Sequence, residues 1–368
     1  MEIVMCGTLV PEEYELIIKD LSNAANRFVS NVVGCFRNEG HHVRVVSYIG
    51  INTSSEVKKS LQNDGSADFV FKTKLRFGGI RRVLAILKGY VDVTDWFVAY
   101  NPVYAWLVLP LMASHLHCKS ALILADFSPP ESYTNLGRKI YAYLQLMSIR
   151  KYDIVIGLSE NVERFMKKGQ KFLCVEGGIN KEVYEFFNKY VNHDGEKMIC
   201  MYAGILEHVT GVEMLIDAID LVDDDSIELW ISGKGSLEET IKEKAKNDKA
   251  VKFLGYLSYN DYLEQLKNAD ILINPRNMNL PENMNNFPSK ILEYIATGKR
   301  VISTKYPGWE RFGTSVYFCE STAESISKAI IDLKRQKEKE DDWGERRKMA
   351  KEYLWENRMA TIIKEMRG

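Results

Sequence analysis

The sequence predicts an α/β protein of two domains, each a parallel sheet flanked by helices. Three observations predict it. At 368 residues the chain is long enough for two domains of ordinary size. Short runs rich in Val, Ile and Leu end in glycine or polar turns and alternate with helical stretches in both halves. The run Ile3 to Cys6, a helix entered at Ser22 to Phe28 and the run Val43 to Ser47 together read as a βαβ unit, whose strands pair in parallel.

Composition narrows the class. The hydrophobic share is 46% and the charged share 27%, as in an ordinary globular protein. A net charge of −1 excludes a general affinity for nucleic acid. The six cysteines are scattered without a C-x-x-C pair, which argues against a zinc site and a disulfide framework and points to a reducing cytoplasm. The N-terminus lacks the basic region and apolar run of a signal peptide. The longest apolar run, Val103 to Ala113, is too short to span a bilayer.

In the first half, Gly7-Thr8 turns the chain after the first strand, and Gly40 ends the first helix near Asn38. The segment Phe71 to Tyr90 mixes six basic residues, among them Lys74, Arg76, Arg81 and Arg82, with apolar ones. It reads either as an amphipathic helix packed on its own domain or as a contact with an anionic membrane surface. Trp96 to Tyr100 is a strand ending at Asn101, followed by an apolar helix from Val103 to His117. Ala121 to Ala125 is a strand ending at Asp126. Ligands of open α/β sheets bind beyond the carboxyl ends of strands, so Asn101 and Asp126 lie at the ligand edge; for Asp126 the plain alternative is a turn cap. Asp153 to Gly157 is a further strand, with Ser159 as cap of the helix after it. Phe172 to Asn180 runs from strand into a Gly177-Gly178 turn, and the polar stretch Lys181 to Asp194 reads as the linker.

In the second half, the strand Met198 to Ala203 closes at Gly204 and the loop Ile205 to Gly211 enters a helix. Asp223 to Asp225 reads as a solvated turn rather than a metal site. The strand Ile227 to Ser232 runs into Gly233-Lys234-Gly235, and Val251 to Tyr256 and Ala269 to Arg276 are further strands. Then comes the stretch from Asn285 to Thr304, which reads as loop, short helix, stop, strand. Pro288 suits the first helical position and Gly298 the left-handed position past the helix end. Ile291 and Ile295 share the core face, with Ser289, Lys290 and Glu293 opposite. A helix start beside a lysine favours an anion such as phosphate. The plain alternative is a surface helix with a solvated Lys–Glu pair.

This stretch resembles the nucleotide-sugar site of retaining family-4 glycosyltransferases, which have the GT-B fold of two Rossmann-like domains facing a cleft. Their signature is two glutamates eight positions apart: Glu293 matches the second, and the first falls on Asn285. The Phe287-Pro288-Ser289-Lys290 variant resembles a subgroup associated with bacterial surface polysaccharides. The resemblance implies transfer of a sugar, with anomeric retention, from a nucleotide-diphosphate sugar to a saccharide or lipid-linked saccharide. The sequence places no cluster of metal ligands and offers helix N-termini to meet the diphosphate, so no metal or other cofactor is expected. The resemblance also implies residues 1–188 as the acceptor-side domain and 189–342 as the nucleotide-sugar domain, with a helix over 343–368 crossing back to the first. Peripheral contact with the inner face of a membrane would suit a lipid-linked acceptor.

The same resemblance implies roles for single residues. Glu293 would hold the donor ribose, Asn285 the transferred sugar, and Lys290 with the N–H groups around Ser289 the diphosphate. Gly204 opens the family's first glycine turn, Gly233 and Gly235 form the second, and Tyr256 ends the strand that holds the base. Asn26 and Arg27 follow the first strand–helix loop, which the family places over the donor phosphates and the acceptor; Asp126 would contact the acceptor. The family usually carries an arginine and a lysine where this chain has Ile205 and Thr210. Lys290, Lys234, Arg276 and Arg27 are candidates to replace that charge. Two other readings stay open: a GT-B epimerase of sugar nucleotides, and a non-catalytic protein that binds sugar nucleotide or scaffolds a polysaccharide complex.

Overall fold

The computed structural model describes residues 1–15, 17–18, 21–50, 52–72, 78–103, 106–189, 195–336 and 340–368. The chain forms two compact units, Met1–Gly177 with Trp355–Gly368 and Gly178–Leu354. The sequence reading divides it instead at 188 and 342. The difference at the first boundary arises because Lys181–Phe186, read as linker, is a helix of the second unit, with Val183 buried.

The first unit has seven parallel strands: β1 (Glu2–Gly7), β2 (His42–Ile49), β3 (Asp68–Phe71), β4 (Trp96–Tyr100), β5 (Lys119–Leu124), β6 (Ile154–Gly157) and β7 (Lys171–Cys174). Their order across the sheet is β3-β2-β1-β4-β5-β6-β7. Alternate residues Val4 and Cys6, Phe97 and Ala99, and Leu122 and Leu124 bury one face of the sheet against Trp106 and Leu109, as the two-residue period requires. Among the described residues the crossover helices are α1 (Asn23–Asn38), α2 (Ser55–Asp64), α3 (Gly78–Lys88), α4 (Leu109–His115) and α5 (Leu136–Ile149). Ser22 caps α1 by accepting from Ala25 N–H.

Several expectations change here. Of the stretch read as a helix from Val103 to His117, the described residues are α-helical only over α4, which ends at His115, two residues before His117 takes φ 57°. After Ser159 comes a short 3-10 helix, Glu160–Phe165. Of the basic apolar segment, Lys74 and Arg76 lie outside the described residues. Phe71 closes β3, and Gly78–Lys88 is α3, in which Val83 and Leu87 are buried in the core while Arg81 and Arg82 face solvent. That is the packing of an amphipathic helix on its own domain.

The second unit has six parallel strands: β8 (Met198–Ile205), β9 (Ile227–Lys234), β10 (Val251–Gly255), β11 (Ile271–Asn274), β12 (Arg300–Thr304) and β13 (Tyr317–Cys319). Their order is β10-β9-β8-β11-β12-β13. Its helices are α6 (Lys181–Phe186), α7 (Val212–Val222), α8 (Glu238–Asn247), α9 (Tyr259–Asn268), α10 (Lys290–Thr297), α11 (Ala323–Arg335) and α12 (Glu340–Glu352). One face of the sheet, through Leu229, Ile231, Ile271, Ile273 and Ile302, packs on Leu215, Ile219, Ile326 and Ile330 of α7 and α11.

The terminal helix read as continuous from Trp343 to Arg367 is broken. After α12 the chain leaves helix at Tyr353-Leu354, where Leu354 bridges Ile179 and the Tyr353 carbonyl accepts the Ile179 N–H at 2.7 Å. A new helix, α13 (Trp355–Arg367), then packs in the first unit. There Trp355 meets the Phe28 ring edge-on at 4.8 Å, and Arg358 pairs with the buried carboxylate of Glu176. None of the six cysteines is in a disulfide, and burial pushes the Cys200 and Cys319 thiols up to about 12, so neither is a ready nucleophile. No helix of the described residues is long and apolar enough to cross a membrane.

Candidate functional site

The strand order of the second unit reverses direction between β8 and β11, the kind of point at which open α/β sheets bind ligands beyond the strands' carboxyl ends. The loops there pack backbone on backbone. A Cβ at Gly211, which has φ 76°, would lie 2.0 Å from the Pro275 carbonyl oxygen. One at Gly233, with φ 149°, would lie 1.8 Å from that of Gly204, and one at Gly235 2.3 Å from that of Leu206. The loops after β8, β9 and β11 therefore touch main chain to main chain, at separations that only glycine permits.

The β8 loop is tied down from within. Thr210 donates its hydroxyl to the Glu207 carbonyl at 2.7 Å and lies 2.9 Å from that of Ile205. Glu207 accepts from Ser236 Oγ at 2.5 Å and from Ser236 N–H at 2.9 Å, which lowers its carboxyl pKa. Thr210 is thus engaged by its own loop, and Ile205 is 63% exposed at the neighbouring position. On the next loop the Lys234 ammonium sits 4.6 Å from the centre of the exposed Tyr256 ring, a cation–π contact.

Beyond β11, Arg276 donates through Nε to Asn283 at 2.8 Å. Asn283, fully buried, donates in turn to the carbonyls of Val209 and Asn277 at 2.8 and 2.7 Å. It joins the β8 loop, the β11 loop and the short turn Pro281–Asn285. No motif in the sequence marks Asn283; its trace there is the density of asparagines from Asn277 to Asn286. Asn285 is 2% exposed, so its amide is directed into the fold.

Helix α10 begins at Lys290 with Ser289 at the N-cap, so Pro288 precedes the helix rather than opening it; Ile291 and Leu292 bond back to the carbonyls of Pro288 and Ser289 in a tighter turn. Ser289 is exposed and makes no side-chain cap. Every residue from Ile291 to Thr297 except Glu293 is buried. The helix is covered almost all round, and Lys290 and Glu293 form its one window. Glu293 accepts from Lys290 Nζ at 2.9 Å and from the Tyr262 hydroxyl at 2.7 Å. The same ammonium lies 4.5 Å from the centre of the Tyr262 ring. Burial, then the Glu293 charge, raises the Tyr262 pKa, so its hydroxyl remains a donor. Tyr294 anchors the helix to β8, its hydroxyl accepting the Ala203 N–H at 3.2 Å. The last carbonyls of α10 meet three side chains of α12: Trp343 Nε1 donates to Thr297, Arg346 Nε to Gly298 and Arg347 to Ala296, at 3.0, 2.7 and 2.6 Å.

The remaining candidates belong to the first unit. Both amide atoms of Asn26 clamp the loop after β1: Oδ1 accepts the Val10 N–H at 2.8 Å and Nδ2 donates to Glu15 at 2.7 Å. This loop work occupies the amide expected to meet ligand. Arg27 is half exposed, 3.7 Å from Glu15. Asp126 is exposed beyond β5. Its N–H and that of Ala125 donate to Asn101 Oδ1 at 3.0 and 2.8 Å, with Asn101 held at φ 56°.

Residues 183–349 match the family model described as Glycosyl transferases group 1. The whole chain superposes on solved structures at low identity. Anabaena Alr3699/HepE in complex with UDP gives a TM-score of 0.71 at 14% identity, covering 99% of this chain and 100% of that one. Sucrose-phosphate synthase of Thermosynechococcus elongatus gives 0.69 at 12%, covering 100% and 98%. An E. coli trehalose-6-phosphate protein bound with UDP-2-fluoro glucose gives 0.70 at 11%, covering 100% and 99%.

The fold is GT-B. No curated protein sequence matches the chain. Within the GT-B framework the match to the Glycosyl transferases group 1 model falls on the second unit and leaves the rest of the chain uncovered. The matched segment holds Gly204, Gly233, Gly235, Tyr256, Arg276, Asn285, Ser289, Lys290 and Glu293, whereas Asn26, Arg27 and Asp126 lie outside it. The structure joins the segment's residues in neighbouring groups: the three glycines, Lys234 with Tyr256, Arg276 with Asn283, and Lys290 with Glu293 and Tyr262. Among the described residues no group of three His, Cys, Asp or Glu side chains is placed to hold a metal.

Proposed function

We propose that the protein transfers a sugar from a nucleotide-diphosphate sugar to a hydroxyl of a saccharide or lipid-linked saccharide, with retention at the anomeric carbon and in polysaccharide or glycolipid assembly. The observation that carries this reading is the glycine-packed loops at the β8–β11 switch point together with the Lys290–Glu293 pair, all within the segment that matches the Glycosyl transferases group 1 model. In the proposed step the bond from the anomeric carbon to the diphosphate oxygen breaks and a bond to the acceptor oxygen forms on the same face. The acceptor proton goes to the departing phosphate. The protein's part is to position both substrates and to meet the charge of the leaving group.

Donor binding is proposed to open the Lys290–Glu293 pair. At i, i+3, with side chains 38% and 33% exposed, such a pair contributes only tenths of a kcal/mol. Hydrogen bonds to a charged ligand group contribute about 1.5–3 kcal/mol each. Ligand contacts therefore outweigh the pair: Lys290 turns to the diphosphate and Glu293 to the ribose hydroxyls. Arg276 and Lys234 are the next cations on the same sheet edge.

A panel of nucleoside diphosphates and their sugars, with UDP first, tests the reading by calorimetry, followed by donor turnover with and without added saccharides. Binding with donor hydrolysis or transfer supports it, and product anomer analysis decides retention. Transfer that fails in chelator and returns with manganese or magnesium would overturn the expectation that no metal is needed. The reading fails if no nucleotide sugar binds. Ile205 and Thr210, which bring no cation to the β8 loop, favour a second reading of binding without turnover, and binding with neither hydrolysis, transfer nor epimer formation would establish it.

A further inference from the structure

We propose that the first unit docks on an anionic lipid surface through helix α5. Leu136, Ile140, Tyr143, Leu144 and Met147 are each between 46% and 72% exposed. Their spacing follows the helical period and places them within an arc about 100° wide. The opposite side of α5 is docked already: Ala142, Ser148 and Ile149 are buried, and Tyr141 and Gln145 donate to the Pro102 carbonyl. The stripe is thus a second face, separate from the one that packs on the unit. Five of the twelve large apolar side chains exposed among the described residues lie on this one helix, which sets it apart from the scattered exposure of an ordinary surface.

Charge names the occupant. Leu136–Ile149 contains no Asp or Glu. Arg138 and Lys139 stand in its first turn, and Arg150 and Lys151 follow directly. Among the described residues Arg138, Lys139 and Lys151 have no acidic partner. Cations in the first turn oppose the positive end of the helix dipole, a placement that a bound anion would offset. An apolar stripe edged by unpaired cations fits the boundary between phosphate headgroups and acyl chains. A second copy fits less well, since a two-fold interface would set the same cations against each other. The helix follows β5 and Asp126, so its first turn lies toward the carboxyl edge of the sheet, where an acceptor is expected. The inference stands whether or not the protein transfers sugar.

Cosedimentation of the full chain with vesicles tests it. Vesicles of phosphatidylcholine with phosphatidylglycerol are expected to carry the protein down at low salt, with loss at high salt, and vesicles of phosphatidylcholine alone to carry little. Leu144→Glu/Met147→Glu alters two exposed positions and should reduce the bound fraction by on the order of tenfold with the melting temperature unchanged. Lys139→Glu, which leaves the stripe intact, should weaken binding to the anionic vesicles alone. Wild type that ignores anionic vesicles, or a folded double variant that binds as wild type does, overturns the proposal. So does a wild-type dimer, seen by light scattering, that Leu144→Glu dissociates: the stripe would then join two copies.

Discussion

Single residues decide the ligand chemistry, and two of them can be separated by experiment. Glu293→Ala is expected to fold normally, since its partners Lys290 and Tyr262 remain 3.3 Å apart and can bond to each other. Nucleotide-sugar affinity should fall about ten- to a hundredfold, the value of one charge-assisted hydrogen bond, measured by calorimetry on matched samples. Unchanged affinity would return Glu293 to the solvated carboxylates. Lys290→Ala should weaken nucleoside diphosphate binding while leaving the unphosphorylated nucleoside nearly unaffected, because the comparison isolates the phosphate contact. Equal binding of both ligands by variant and wild type would pass that task to Arg276 or Lys234. The pairing of Lys290 with Glu293 was legible from their spacing alone. The part of Tyr262 was not, because the two segments meet only through the packing of α9 on α10, thirty-one positions apart.

At the level of elements, the C-terminus of α10 is the position most tightly specified. Gly298 holds φ 72°, and a Cβ there would fall 2.3 Å from the Trp343 ring and 2.9 Å from Arg347. Gly298→Ala should destabilise the protein by about 2–4 kcal/mol, left-handed strain plus overpacking, as read from urea unfolding. Gly255→Ala supplies the comparison: φ is 71° but the added methyl meets open space, so about 1 kcal/mol is expected. Equal losses would show that α12 yields around the methyl. Gly298 was readable as a helix stop because that signal is local. The crowding against Trp343 was not, since it depends on a helix forty-five residues on. The same division explains what sequence reading overlooked. Edge strand β3 and the three-residue β13 are too short for a period to show. The break at Tyr353-Leu354 has no proline or glycine to announce it. It follows from tertiary contacts, the Ile179 bridge and the Tyr353 ring stacked on Phe312 at 5.2 Å, which outweigh local helix propensity.

For the whole molecule, the return of α13 to the first unit binds the two ends of the chain into one stability problem. Trp355, Met359, Ile362, Ile363 and Met366 are buried, each contributing about 1.5–3 kcal/mol. Their sum approaches the whole stability of a domain. Removing residues 355–368 also takes Arg358 from the buried Glu176 carboxylate. Calorimetry of the truncated chain should therefore show loss or a marked fall of the first-unit transition, with the second unit melting as before. Retention of both transitions would reduce α13 to an accessory. The arrangement also sets a timetable during translation. When residues 1–177 have left the ribosome, the side of α1 that receives Trp355 has no cover, and 177 further residues must be made before its partner exists. At about 5–20 residues per second that interval is roughly ten to thirty-five seconds. For that time the nascent first unit presents Phe28 and its neighbours as an open apolar surface, whereas the second unit, continuous from Gly178 to Leu354, waits for no later segment once its last residue is made.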